Sequence, residues 1–153
     1  MKTKRRSAIK KIFASLVGIT GVKFASGAKV NDTPVKEGFN VVNSQDLPLF
    51  SVSTRYGNMV FVSGQGSRLD GDIKVHTDNA LKMIEAGLKN AGSSMDKVLK
   101  VTVFLENMKD FEAMNEVYRG RFGKNPPART TVAVPNGLTP SDNLINIDCI
   151  AYI

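Results

Sequence analysis

The sequence predicts an α+β domain, an α/β sandwich in which a mixed sheet carries two helices on one face. Three observations lead there. Lys97–Leu105 is a dense β-branched and apolar run, and Leu144–Ile153 alternates apolar and polar residues with the period of a strand. Two other stretches repeat apolar residues at helical spacing, Ala80-Leu81-Met83-Ile84-Leu88-Ala91 and Phe111-Met114-Val117-Tyr118-Phe122. Along the chain the order is strands, helix, strand, helix, two strands. With 153 residues, 42% of them hydrophobic, the chain is long enough for one domain with its own core and too short for two.

The formal net charge of +7 is not spread evenly. Seven of the 21 basic residues fall in residues 1–28, which contain no acid, leaving 14 basic against 14 acidic side chains in the rest. That neutral remainder lacks the electrostatic footprint of a nucleic-acid binder. Residues 1–28 have the layout of an export signal peptide: a charged start, the apolar run Ile12–Val22, then small residues at Ala25-Ser26-Gly27-Ala28, with cleavage expected after Gly27 or Ala28. The apolar run is too short to cross a bilayer as a permanent helix, so membrane contact is expected only through the signal. Arg5-Arg6-Ser7-Ala8-Ile9-Lys10 resembles the twin-arginine export motif, which implies a periplasmic destination. A disordered basic tail or an amphipathic surface helix would show the same charge run.

Residues 29–40 read as a polar linker, and strand character begins at Val41-Val42. Phe50–Tyr56 and Asn58–Ser63 form a hairpin through Gly57-Asn58, residues suited to positive φ. Gly64–Gly71 follows as a turn, since it has neither the lysine of a phosphate-binding loop nor the third glycine of a dinucleotide fingerprint. A helix is expected from Thr77 or Asp78 to Ala91, capped by Asp78 and ended by Gly92. His76 stands before it as an exposed loop residue, and no second histidine exists to join it around a metal. Asp110 is expected to cap the second helix, Phe111 to about Phe122. Asn136–Pro140 is a loop, and the last strand closes the chain.

Cys149 is the single cysteine, so no internal disulfide forms. It shares a strand face with Ile145, Ile147, Ala151 and Ile153 and belongs to the core. On β-strand 97–105, Val98, Thr102 and Phe104 alternate with Leu99, Val101, Val103 and Leu105. The sheet face away from the helices, with Phe104 and Ile150 on it, is too apolar to stand in water, and a second copy of the sheet is expected to cover it.

Arg129 is the first candidate for function. Pro126-Pro127 hold the backbone extended and lead into Thr130-Thr131-Val132, which sets Arg129 at the mouth of a strand. A guanidinium there grips a carboxylate with two parallel hydrogen bonds. An ion-paired arginine on a strand end has the same local pattern. Ser63, beside Gly64 at a strand end, either aims its hydroxyl at a ligand or caps a turn.

These residues form four ordered blocks: Gly57-Asn58-Met59-Val60-Phe61-Val62-Ser63-Gly64-Gln65; Val101–Leu105 with Asp110-Phe111 and Met114–Tyr118; Pro127-Ala128-Arg129; and Ile145–Ala151. Together they resemble the reactive intermediate deaminase family (RidA, also called YjgF) over Val41 to Ile153. The resemblance implies a chorismate-mutase-like mixed sheet with two helices, a homotrimer whose sheets form an inner barrel, and pockets between subunits. It implies hydrolysis of 2-imino acids and related enamines to 2-keto acids and ammonia, without metal or cofactor. Residue by residue it places Arg129 as the carboxylate clamp, with Ser63, Gly64 and Asn115 lining the pocket. It places Phe50 where a tyrosine is common and Asn146 where a glutamate is usual. Asparagine can position water through its carbonyl but takes no proton from it, so weakened turnover is expected. A trimer that binds small carboxylates or keto acids without catalysis is the other reading. RNA cleavage gains nothing from a neutral domain.

Overall fold

The computed structural model describes residues 33–138 and 142–153. The expected signal peptide, its cleavage site and the Thr139-Pro140 end of the last loop lie outside them. The elements are β1 (Glu37–Ser44), β2 (Leu47–Tyr56), β3 (Met59–Gly66), α1 (Ile73–Asn90), β4 (Val98–Leu105), α2 (Phe111–Tyr118), β5 (Ala128–Ala133) and β6 (Ile145–Tyr152). They build a six-stranded sheet in the order β1-β2-β3-β6-β4-β5. Only β4 and β5 pair in parallel, because α2 crosses between them. β6 slots between β3 and β4, antiparallel to both. The predicted α+β class and order of elements are those observed.

β1 starts at Glu37, inside the stretch read as linker. Glu37 pairs with Arg55 in the ladder and by a 2.8 Å ion pair, and Arg55 also lies 5.7 Å from the centre of the Phe39 ring. This strand is at the sheet's edge and is exposed, so it carries no hydrophobic alternation to read. The β2–β3 hairpin turns at Gly57, whose φ of +59° is the left-handed value glycine adopts without strain. β3 runs past Ser63 to Gly66 through a bulge: Val62 pairs with Cys149 and Gln65 with Ile147, leaving Ser63 and Gly64 together opposite Asp148.

α1 begins at Ile73, a turn earlier than expected. Its cap is Asp72, whose Oδ1 accepts the Lys74 and Val75 amides at 2.9 and 3.1 Å. Such a cap contributes about 1 kcal/mol, enough to override the strand preference of Ile73 and Val75. Asp78 is instead paired with Lys82 and Arg121, which hold its carboxyl below the usual range. His76 is therefore no loop residue. It lies on the buried face of α1, and its Nδ1 accepts the Leu144 amide at 3.3 Å, tying the helix to the start of β6.

α2 is shorter than expected. Arg119 leaves the helix in extended conformation and Gly120 takes φ +78°. Phe122 still packs inward, its ring 5.0 Å from that of Tyr118. Asp110 makes no capping bond; Asn107 starts a single 3-10 turn, Met108–Asp110, that feeds into the helix.

The core lies between the sheet and α1: Val60 and Val62 from β3, Val101, Val103 and Leu105 from β4, Ile145, Ile147, Cys149 and Ala151 from β6, against Ala80, Leu81, Ile84 and Leu88. Ile153, beyond the end of β6, is exposed. At the start of β4 the expected alternation breaks, for Val98 is buried and Leu99 is 48% exposed. A shift in register between Val98 and Lys100 accounts for it, since one extra residue swaps the faces. Cys149 is core as expected, and burial pushes its thiol up to about 12. On the sheet's other face Phe61 and Val132 are exposed and Phe104 and Ile150 half-buried.

Candidate active site

Arg129 is the second residue of β5, opposite Val101 of β4, so its side chain rises on the helix side of the sheet towards α2. There Nη1 donates to Asn115 Oδ1 at 2.8 Å. The guanidinium carbon lies 4.6 Å from the centre of the Tyr118 ring and 5.5 Å from that of Phe111. Each such contact contributes roughly 0.5–1 kcal/mol, and together they fix the plane of the fork. Asn115 and Tyr118 are three apart on α2, hence on one face, which is why one short helix supplies both holds. Among the described residues no carboxylate pairs with Arg129. With Asn115, Tyr118 and Arg119 it lines an open cavity of about 210 Å³.

Burial raises the Tyr118 phenol to about 12, partly offset by the Arg129 charge, so the ring stays neutral at any working pH. Its hydroxyl and that of Thr131, two residues along β5 from Arg129, are buried without a hydrogen-bond partner among the described residues.

A second cavity, of about 580 Å³, is lined by Val42, Phe50, Val52, Gly64, Gln65, Gly66, Arg68, Met83 and Asn146. Asn146 points away from the core residues Ile145 and Ile147 that flank it and lies against the bulge at Gly64. Among the described residues no carboxylate or histidine lines this cavity. Ser63 is not in its wall. Gln65 Nε2 donates to the Ser63 carbonyl and hydroxyl at 3.0 and 3.1 Å, which turns that hydroxyl to its own strand.

The structure thus groups five of the six predicted residues in two places. Arg129 and Asn115 touch; Phe50, Gly64 and Asn146 share the larger cavity; Ser63 is tied to Gln65. Within this chain Arg129 and Asn146 line different cavities. Sequence reasoning missed Tyr118 as a support of Arg129, though its spacing from Asn115 was legible. It also missed Gln65 and Arg68, which lay in a segment read only as a turn. Among the described residues no cluster of His, Cys, Asp or Glu is arranged to hold a metal ion.

Comparisons with known proteins place this fold and sequence among relatives. Residues 46–153 match the family described as endoribonuclease L-PSP. A RutC family protein of Pyrococcus horikoshii is 44% identical over 110 residues, covering 67% of this chain and 86% of that one. Its counterpart in Pyrococcus abyssi is 42% identical over 110 residues, covering 67% and 85%. Among solved structures, a member of the YjgF/YER057c/UK114 family from Mycobacterium tuberculosis superposes with a TM-score of 0.64 at 30% identity, over 68% of this chain and 86% of that one. RidA from an Antarctic Psychrobacter superposes with a TM-score of 0.64 at 29% identity, over 70% and 90%. On sequence and fold together, the chain belongs to the endoribonuclease L-PSP family, which takes in the RutC, YjgF and RidA proteins.

Proposed function

We propose that this protein hydrolyses reactive 2-imino acids and related enamines to 2-keto acids and ammonia, acting as a homotrimer in which the Arg129 cavity of one protomer meets the Asn146 cavity of the next. The observation that carries the reading is the Arg129 guanidinium, held by Asn115 and two aromatic rings, free of any carboxylate among the described residues and open to a cavity. Such a fork is poised for a substrate carboxylate. The separation of the two cavities in one chain and the apolar face opposite the helices both favour assembly from several copies.

The chemistry asks little of the protein. A protonated imine is already electrophilic. Water adds to C2, a proton passes from the new hydroxyl to nitrogen, ammonia leaves and the carbonyl forms. Arg129 supplies orientation, and holding the reacting atoms about 3–3.5 Å apart is itself a large part of catalysis. Asn146 aligns the water through its carbonyl, and solvent takes the proton. To test this, an imino acid is generated in solution by an amino acid oxidase and ammonia release is followed with and without the protein. Acceleration is expected.

One observation favours a second reading. Among the described residues the Asn146 cavity is lined by no side chain able to accept a proton, which suits a protein that binds carboxylates or keto acids without turning them over. Ligand binding with no acceleration of ammonia release would select it. We also propose, from the sequence of residues 1–28, that the protein is exported to the periplasm by the twin-arginine route; fractionation of cells in which Arg5 and Arg6 are both replaced by lysine tests this, with loss of export expected.

A further inference from the structure

Among the described residues the larger cavity is lined by one charged side chain that the proposed reaction does not use. Arg68 stands on the loop after β3 and lines the cavity together with Phe50, Gln65 and Asn146. Its backbone is anchored from both sides. The buried Ser67 donates its amide to Asn143 Oδ1 at 3.0 Å, and the Ser67 hydroxyl accepts from the Leu69 amide at 3.2 Å and from Asn79 Nδ2 at 3.3 Å. The side chain itself is uncommitted: Arg55 pairs with Glu37 and Arg121 with Asp78, whereas Arg68 has no ion pair among the described residues. Asp70 and Asp72 are close in sequence, but Asp72 is engaged at the cap of α1 and neither pairs with Arg68.

We propose that Arg68 receives a second acid group, so that the preferred ligand of this site is a dicarboxylic 2-imino or 2-keto acid. The inference rests on the function proposed above, in which Arg129 of a neighbouring protomer holds the first carboxylate. The wall supports it by elimination. Gly64, Gln65 and Asn146 offer neutral polar contact, Val42, Phe50, Val52 and Met83 offer an apolar slot, and among the described residues Arg68 is the only charged one lining this cavity. A ligand with a plain hydrocarbon side chain leaves that guanidinium unmatched, whereas a distal carboxylate meets a planar fork of donors. The volume, about 580 Å³, lies within the usual range for small-molecule sites and has room for a chain reaching from Asn146 to Arg68.

The test is calorimetric titration of the full-length protein with 2-oxoglutarate, a diacid, and with 2-oxobutanoate, a monoacid. The wild type is expected to bind the diacid roughly tenfold to a hundredfold more tightly, the range for one charge-assisted hydrogen-bonded contact. Arg68→Gln should bring that ratio to near one, and Arg68→Lys should keep part of it. Equal affinities in the wild type, or a ratio that survives Arg68→Gln, overturn the proposal while leaving the Arg129 site standing. Failure of both acids to bind the wild type, or binding of both undiminished by Arg129→Ala, overturns the underlying site and this inference with it.

Discussion

Asn146 Oδ1 occupies the space beside Gly64 that any side chain there would need: a β-carbon on residue 64 would stand 2.2 Å from it. The amide of Asn146 rests against bare backbone at the β3 bulge, and the absence of a side chain at position 64 sets where that amide points. Gly64→Ala is therefore expected to cost about 1–3 kcal/mol in urea unfolding, the usual range for overpacking, and to turn the amide out of the cavity. In an Asn146→Ala background most of that cost should vanish, because the atoms in conflict are gone. The double-mutant cycle reads the coupling directly; strictly additive costs would mean that the two residues do not press on each other.

Arg129→Ala should weaken keto-acid binding by roughly tenfold to a hundredfold, the worth of charge-assisted hydrogen bonds, and abolish turnover. Arg129→Lys keeps the charge but loses the fork and its hold between the Tyr118 and Phe111 rings, so an intermediate affinity is expected. Titration calorimetry and ammonia release measure the two effects. An unchanged rate in Arg129→Ala would move the site elsewhere.

How much of this was legible beforehand depends on what each residue reports. The order of elements and the core faces of β6 and α1 followed from hydrophobic periodicity, and Arg129 at a strand mouth followed from its two prolines. The start of α1 did not, because Ile73 and Val75 read as strand formers and only the Asp72 cap decides for helix. His76 was misplaced for the same reason: one turn of helix moves it from a loop to a buried face. The first half of β1, residues 37–40, was hidden in the stretch read as linker, because an edge strand needs no apolar alternation, whereas strand character was legible from Val41-Val42. The bulges at Val98 and at Ser63-Gly64 were hidden because a register shift depends on the partner strand. The Arg129–Asn115 contact joins residues distant in sequence that β5 and α2 bring together, and only the family resemblance had put both in one pocket.

Alkaline stability should depend on Cys149. Burial raises its thiol from 9.0 to about 12, so between those values the folded chain keeps a proton that the unfolded chain has lost. The folded state then binds more protons, and stability falls as pH rises through that window, with no such loss below about pH 9. Tyr118, raised from 10.0 to about 12, adds a second loss that begins only near pH 10. The slope of the urea midpoint between pH 9 and 10 is thus assigned to the thiol, and Cys149→Val should flatten it while leaving the steeper fall above pH 10. A slope unchanged by that substitution would place the titrating group elsewhere.

Asn146→Glu bears most directly on whether this pocket catalyses. Glutamate adds one methylene and a carboxylate that can take a proton from the attacking water, which the amide cannot do. Among the described residues no competing acid lines the Asn146 cavity, and Arg68 in its wall favours the ionised form of a new carboxylate. If the proposed hydrolysis is correct, ammonia release from an imino acid should rise in the variant. The rate should also gain a limb that increases as pH passes the carboxyl's ionisation, since only the deprotonated form accepts. Because the side chain lies against Gly64, the longer residue is expected to extend outward into the cavity, where the proposed reaction would place its water. A fall in rate with keto-acid binding retained would show that the cavity is arranged around its amide for binding, and the non-catalytic reading would then stand.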